Sequence, residues 1–364
     1  MLIQSLTNIM GDHSLRLKAF VKLGAFFREF ISSVTHSDRS GDSEDEWISD
    51  FRTAIGLASQ QNPWFTEESQ HQAIENWGGA LEKDSLETWL AGYPLKTSDP
   101  KIVALIMAGN IPLVGFHDFL SALITGNSVL VKLSSKDKVL FPFIAKYLIS
   151  AEPSLESAIS FTDGRLSGYD AVIATGSNNS ARYFEYYFGN KPNIIRKNRN
   201  SVAVLDGTEN ETQLNALGRD IFDYFGMGCR NVSKFYVPET YKFDKFYESI
   251  ESFSGVLNHT KYANNYDYNK AVYLMSEFPI LDNGFLLLKE DSSYSSPIGT
   301  IFYERYGNID ELKNRLEQDQ EQIQCVVSNS EEFGLPFGQA QSPGLTDYAD
   351  GIDTVEFMLK IAQQ

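Results

Sequence analysis

The chain has 364 residues, 42% of them hydrophobic and 13% aromatic, which is enough for two domains with a core each. Its formal net charge of −17 repels nucleic-acid backbones and anionic membrane surfaces, so neither is expected as a partner. Two cysteines almost a hundred positions apart make neither a disulfide framework nor a zinc site, and they fit a reducing cytoplasm in which a thiol can stay reactive.

The first twenty residues, "MLIQSLTNIMGDHSLRLKAF", lack a cationic start, a continuous apolar core and a small-residue cleavage site, so no leader is expected. No apolar run approaches the ~20 residues that span a bilayer. Residues 1 to about 95 read as polar-faced helices, with Leu15, Phe20, Leu23, Phe27 and Phe30 at helical spacing. "HSDRSGDSEDEW" is a charged break, and Thr66 is an N-cap candidate for the helix after it.

At Lys101 the rhythm changes. "KIVALIMAG" is an apolar strand, "PLVGFHDFLSALITGN" a helix closed by Gly126-Asn127, "SVLVKLSS" a strand and "KDKVLFPFIAKYLIS" a helix. "SAISFTD" and "YDAVIATG" are strands, "SARYFEYYFG" is a helix, and "NIIRKN" and "SVAVLDG" are two more strands. Strands alternating with helices predict parallel βαβ units and a doubly wound sheet, whose ligands bind beyond the strand C-termini. From Asp206 a second unit is expected: an amphipathic helix "ETQLNALGRDIFDYFG", strand "VSKFYVP", helix "YKFDKFYESIESF", strand "IGTIFYERY", helix "IDELKNRLEQ" and strand "IQCVVSN", then a loop-rich tail. The fold class is therefore α/β, with residues 1–205 as one domain and 206–364 as a second.

Several residues could carry chemistry. Cys229 follows a helix in "GMGC", where glycines let a ligand approach the backbone and Arg230 and Lys234 favour a thiolate; the alternative is a buried packing cysteine. Cys325, inside an apolar strand, reads as packing. Gly176-Ser177 begins a helix whose N–H groups suit phosphate, or are simply capped. Lys132, with Ser134 close by, ends a strand and suits a ribose or a 2′-phosphate, or is a solvated lysine. Asn110 could donate to a developing oxyanion or satisfy its own turn. Arg196, Lys197 and Arg199 form either an anion site or a charged strand edge. His117 reads as structural.

The order of these features resembles that of the aldehyde dehydrogenase superfamily. "AGNIPLVGFHDFLSALITGNSVLVKLSS", "NRNSVAVLDG" and "GQAQSPGLTDYADGIDT" resemble more closely the acyl-CoA reductase family of LuxC-type fatty acyl-CoA reductases, over about residue 70 to the last. That resemblance implies two domains, each with a mostly parallel sheet flanked by helices, an active site between them and a tail returning to their interface. It implies that Cys229 attacks a fatty acyl thioester, that Asn110 and the Cys229 N–H hold the oxyanion, and that NADPH, with NAD as the alternative, delivers hydride to release an aldehyde. Lys132 and Ser134 would then meet the adenosine ribose, Gly176 and Ser177 the pyrophosphate, and Arg196, Arg199 and Arg230 the substrate's anionic groups. Partners would be an acyl-CoA and either a second copy of the chain or an acyl-transferring enzyme.

One departure is informative. Hydrolytic aldehyde dehydrogenases carry a glutamate base where this sequence has Arg196, and a cation cannot be that base. The glutamate that holds the nicotinamide ribose is replaced by Ser293, with Glu290 and Asp291 nearby. The alternatives are an acylating dehydrogenase, a reductase of an acyl phosphate or carrier-protein thioester, and an inactive protein that binds a nucleotide or acyl-CoA.

Overall fold

The computed structural model describes residues 2–35, 45–95, 99–330 and 332–363; most of the expected charged break lies outside them. The chain divides into two compact units, Met1–Lys197 with Gly344–Gln364, and Asn198–Pro343.

In the first unit, α1 (Leu2–Thr35), α2 (Glu46–Gln61), α3 (Glu67–Ala80) and α4 (Lys83–Leu90) precede the sheet. Phe20, Leu23, Phe27 and Phe30 are buried as their spacing predicts, and Phe30 and Phe51 pack edge to face at 4.8 Å. Leu15 is exposed instead, at 43%. Its neighbour Arg16 turns inward and donates to the carbonyls of Leu123 (2.9 Å) and Asn127 (2.8 Å). Thr66 caps α3 as expected, accepting from the Ser69 N–H.

The sheet is built from β1 (Ile102–Ile106), α5 (Phe116–Ile124), β2 (Ser128–Lys132), α6 (Leu140–Ala151), β3 (Ile159–Phe161), β4 (Ala171–Thr175), α7 (Asn178–Phe188) and β5 (Asn193–Arg196). All pairings are parallel, in the order β3-β2-β1-β4-β5. The apolar runs are buried because helices flank such a sheet. The order reverses at β1, so the loops after β1 and β4 border the crevice where ligands of doubly wound sheets bind.

In the second unit come β6 (Asn200–Val204), α8 (Glu211–Phe222), β7 (Val232–Pro238), α9 (Asp244–Ser249), α10 (Thr260–Met275), β8 (Ile280–Asp282), β9 (Leu287–Glu290), β10 (Thr300–Tyr306), α11 (Ile309–Gln318) and β11 (Ile323–Ser328). The sheet runs β11-β6-β7-β10-β9-β8, parallel except for β8 against β9. The boundary expected after residue 205 lies earlier, because β6 pairs with β7 and β11 rather than with β5.

The tail, expected in the second domain, belongs to the first unit. There α12 (Thr354–Ile361) buries Val355, Met358 and Ile361, and the Met358 carbonyl accepts from Asn127 Nδ2 at 3.5 Å. The residues before α12 are tied down as well. The Tyr348 hydroxyl accepts from Trp89 Nε1 at 2.8 Å and lies 2.7 Å from the Tyr93 hydroxyl, which donates to Asp353 at 2.6 Å.

His117 has the structural role its helix suggests. Its ring lies 5.5 Å from Trp89 and 5.3 Å from Tyr348, and Nε2 donates to the Leu345 carbonyl at 2.9 Å. Burial holds its pKa below the usual 6.5. The folded chain thus keeps it neutral where the unfolded chain takes up a proton, so stability present above about 6.5 is lost as pH falls. All four tryptophans lie in the first unit, so their fluorescence reports it alone. Urea midpoints should drop between pH 7.5 and 5.5, and drop less in His117→Gln, whose amide can still donate to Leu345. An equal drop in both proteins would assign the slope to other groups.

Candidate active site

The turn that carries Cys229 begins where α8 stops. Its end is irregular: Tyr224 and Phe225 take φ of 53° and 58°, followed by Gly226 at 75°. Left-handed backbone at two bulky residues costs about 1–3 kcal/mol each and persists only where the surroundings impose it. Asn231 does much of this. Its buried amide donates to the carbonyls of Asp220 (3.1 Å), Ile221 (3.3 Å) and Asp223 (2.8 Å), while its oxygen accepts from Gly228 N–H at 2.8 Å. One side chain therefore caps the helix end and fixes the glycine preceding Cys229.

Cys229 itself is exposed. Its carbonyl accepts from Ser201 Oγ at 2.9 Å, which places the turn against β6. The same hydroxyl lies 3.1 Å from Cys325 Sγ, which is half-buried in β11. Arg230 donates from Nε to the Ala340 carbonyl at 2.6 Å.

Lys234 does not serve the cysteine. Its buried ammonium donates to the Ser292 carbonyl (2.7 Å) and Glu304 (2.8 Å) and lies 4.9 and 5.0 Å from the Tyr236 and Tyr294 rings. Burial pushes its pKa down, against the pull of Glu304. Asp291 is likewise engaged, by Lys289 Nζ at 2.5 Å and the Ser293 N–H at 2.9 Å, and these bonds hold its pKa at about 2 despite partial burial. Glu290 and Ser293 are exposed near the end of β9.

In the first unit the other expected residues gather at the C-terminal ends of the strands. Asn110 is half-buried in the loop after β1. That loop touches the one after β2: a Cβ on Gly109 would lie 2.7 Å from both Ser134 Cβ and Oγ, so only glycine fits there. Lys132 donates from Nζ to the Gly164 carbonyl at 2.9 Å, and Ser134 Oγ accepts from the Lys136 N–H at 3.2 Å. Beside them a cavity of about 210 Å³ opens between Val131, Leu133, Pro142 and Phe161. Past β4, Gly176 N–H donates to the Arg196 carbonyl at 3.3 Å, and Ser177 is the N-cap of α7, accepting from Ser180 N–H at 3.3 Å.

Two of the three arginines expected to meet anions have other work. Arg196 is buried and paired with Asp118: Nη2 donates to Oδ1 at 2.8 Å, and Nη1 donates to Oδ2. Nη2 also reaches Thr354 Oγ1 at 3.3 Å. Its charge is buried and compensated by Asp118, so the expected anion role gives way to that of a clamp on α5, β5 and α12. Arg199 donates to the carbonyls of Gln320 (3.1 Å) and Ile323 (3.4 Å), tying the start of β6 to β11. Arg230, which donates to the Ala340 carbonyl, directly follows the cysteine in the chain.

Among the described residues no group of three His, Cys, Asp or Glu could hold a metal ion, and no helix is long and apolar enough to cross a membrane. Asn231 and Asp220 were not singled out in the sequence. Their signal was a polar residue at a core position: Asp220 falls between Leu217 and Ile221 on the buried face of α8.

Comparisons with known proteins bear on the family and the fold. Residues 81–252 match the acyl-CoA reductase (LuxC) family. A long-chain acyl-protein thioester reductase from Aliivibrio fischeri is 23% identical over 291 residues, which cover 73% of this chain and 56% of that protein. The chain thus spans little more than half the length of that relative. Among solved structures, aldehyde dehydrogenase 21 from Physcomitrella patens superposes with a TM-score of 0.63 at 12% identity, covering 97% of this chain and 86% of the other. Indole-3-acetaldehyde dehydrogenase of P. syringae, in complex with NAD+, gives a TM-score of 0.62 at 13% identity, covering 90% and 74%. The α/β fold with two mostly parallel sheets is that of the aldehyde dehydrogenases.

Proposed function

We propose, from the match of residues 81–252 to the acyl-CoA reductase (LuxC) family, that the chain is an NADPH-dependent reductase converting a fatty acyl thioester to an aldehyde through Cys229. The observation that carries the reading is the exposed Cys229, held on a strained turn next to Arg230. The thiolate attacks the thioester carbonyl, Asn110 and the Cys229 N–H donate to the oxyanion, and the C–S bond to CoA breaks. CoA leaves as a thiolate and is protonated, and the acyl group stays on Sγ. Loss of one oxyanion donor typically costs about 10²–10³ in rate.

The residues fit a dinucleotide. The crevice at the β1/β4 reversal, the capped start of α7 at Gly176-Ser177, and Lys132 with Ser134 past β2 suit pyrophosphate and ribose in turn. A cation at Lys132 suits a 2′-phosphate, hence NADPH, with NAD as the alternative. When bound, the nicotinamide supplies the hydride that turns the acyl thioester into an aldehyde. Arg196, locked to Asp118, offers no base to activate water, which supports reduction over hydrolysis.

A second reading takes its support from the Aliivibrio relative, whose name specifies an acyl-protein thioester: the donor is an acyl group on a protein rather than on CoA. Incubating the enzyme with labelled acyl-CoA, without NADPH, should leave label on the Cys229 peptide, and adding NADPH should release labelled aldehyde. Label on an acylated carrier protein but not with acyl-CoA would select the second reading. No adduct from either donor would sink both.

A further inference from the structure

We infer that Asp220 is a positioning residue for Cys229: its carboxylate fixes the segment 336–342, whose Ala340 carbonyl in turn holds the guanidinium of Arg230, the residue that directly follows Cys229. This deepens the proposed function and rests on Cys229 being the nucleophile.

Asp220 is fully buried on α8, one turn before that helix gives way to the Cys229 turn. Its Oδ2 accepts from the Gly338 N–H at 2.6 Å and its Oδ1 from the Ala340 N–H at 2.9 Å. Nothing in the local pattern of helix or sheet would bond those two amides. The segment is otherwise a run of turns: Gln339 N–H donates to the Pro336 carbonyl and Ser342 N–H to the Gln339 carbonyl, both at 3.3 Å. Gly338 has a φ of 83°, and a Cβ there would lie 3.1 Å from Ala216 Cβ, so the segment lies directly on α8.

The carboxylate and Arg230 thus grip the same residue from two sides. Asp220 takes the Ala340 N–H, and the Ala340 carbonyl takes Arg230 Nε at 2.6 Å. Arg230 follows Cys229 directly. A cation held next to a thiol favours the thiolate, and a cation on a mobile side chain favours it less. Charge-assisted bonds to an ionised carboxylate are about twice as strong as neutral ones, so the grip depends on Asp220 being ionised. Burial pushes its pKa up to about 6, opposed by the two amide N–H groups. The charged groups facing it are Asp223, which raises the value, and Arg219, which lowers it, with Arg230 on the far side of Ala340. Below about pH 6 the carboxyl is protonated and the grip weakens.

The test is the rate at which iodoacetamide alkylates Cys229 in the full chain between pH 5 and 9, read by mass spectrometry of its peptide. Asp220→Asn keeps one acceptor but turns an N–H toward the second amide. Its alkylation profile should move upward by about half to one pH unit, making alkylation at pH 7 about three- to tenfold slower. Asp220→Glu should fall between this and the wild type. An Asp220→Asn protein that melts like the wild type and shows the wild-type profile overturns the inference. Should that variant not fold, amide exchange of Gly338 and Ala340 in the wild type decides. Protection, corrected for intrinsic rates, should fall below about pH 6; constant protection from pH 5 to 7.5 overturns the inference. Acyl-adduct formation is measured separately. A wild type that alkylates as described but takes no acyl group from any thioester refutes the nucleophile reading and leaves the coupling of Asp220 to the thiol standing.

Discussion

Cys229→Ser should keep the wild-type melting profile and lose thioester reduction by about 10³-fold or more, with no acyl adduct. The tie of residue 229 to β6 runs through its backbone carbonyl, which accepts from Ser201 Oγ, and serine at this exposed position keeps that bond. A serine hydroxyl is far less acidic than a thiol and is far from ionised at neutral pH, so substitution removes most of the nucleophilicity. Single-turnover release of CoA, one equivalent per active chain in the wild type, measures the loss directly. A Cys229→Ser protein with the same burst would move the chemistry to another residue.

Arg196→Met should destabilise the first unit by about 3–5 kcal/mol, because it leaves the Asp118 carboxylate buried without its cation. Removing both charges is far milder: Arg196→Met with Asp118→Leu should recover most of the loss, since a buried pair often does no better than apolar side chains of similar volume. Urea unfolding followed by tryptophan fluorescence gives both numbers. The experiment also separates the clamp from the anion role expected from the sequence. A clamp changes stability and leaves KM for the thioester alone in the double variant, whereas an anion site would raise KM even where stability is restored.

The contrast between Arg196 and Arg230 shows where sequence reading reaches its limit. Both are cations in a chain short of them, and both stand near a motif. Only the folded chain reveals that Asp118, 78 positions away, takes the first, while the second meets the backbone carbonyl of Ala340, 110 positions away. Apolar periodicity carried most of the parallel strands, though not β9, and most helices correctly, because burial on a sheet writes itself into the local pattern. It missed α10, whose sequence "TKYANNYDYNKAVYLM" mixes tyrosines and asparagines with no apolar stripe, yet which buries Tyr262, Tyr266 and Asn269. It also placed the tail in the wrong unit, since the contacts of Tyr348 and Asp353 with Trp89 and Tyr93 span more than 250 positions. The Cys229 turn was legible as a turn. Its supports, Asn231 and Asp220, were not, because each acts on carbonyls or amides that no pairwise pattern announces.

The first unit is assembled from residues on both sides of the second, and this sets an order of events during synthesis. Domains generally fold as they emerge from the ribosome, but here residues 1–197 emerge without the helix that covers α5. Asn127 and the His117 ring face an incomplete surface until residues 344–361 have followed, while the intervening 198–343 can already close on themselves. The nascent chain therefore carries a finished Cys229 turn before it owns a finished first unit, and the uncovered α5 face during that interval is where a chaperone would be needed most.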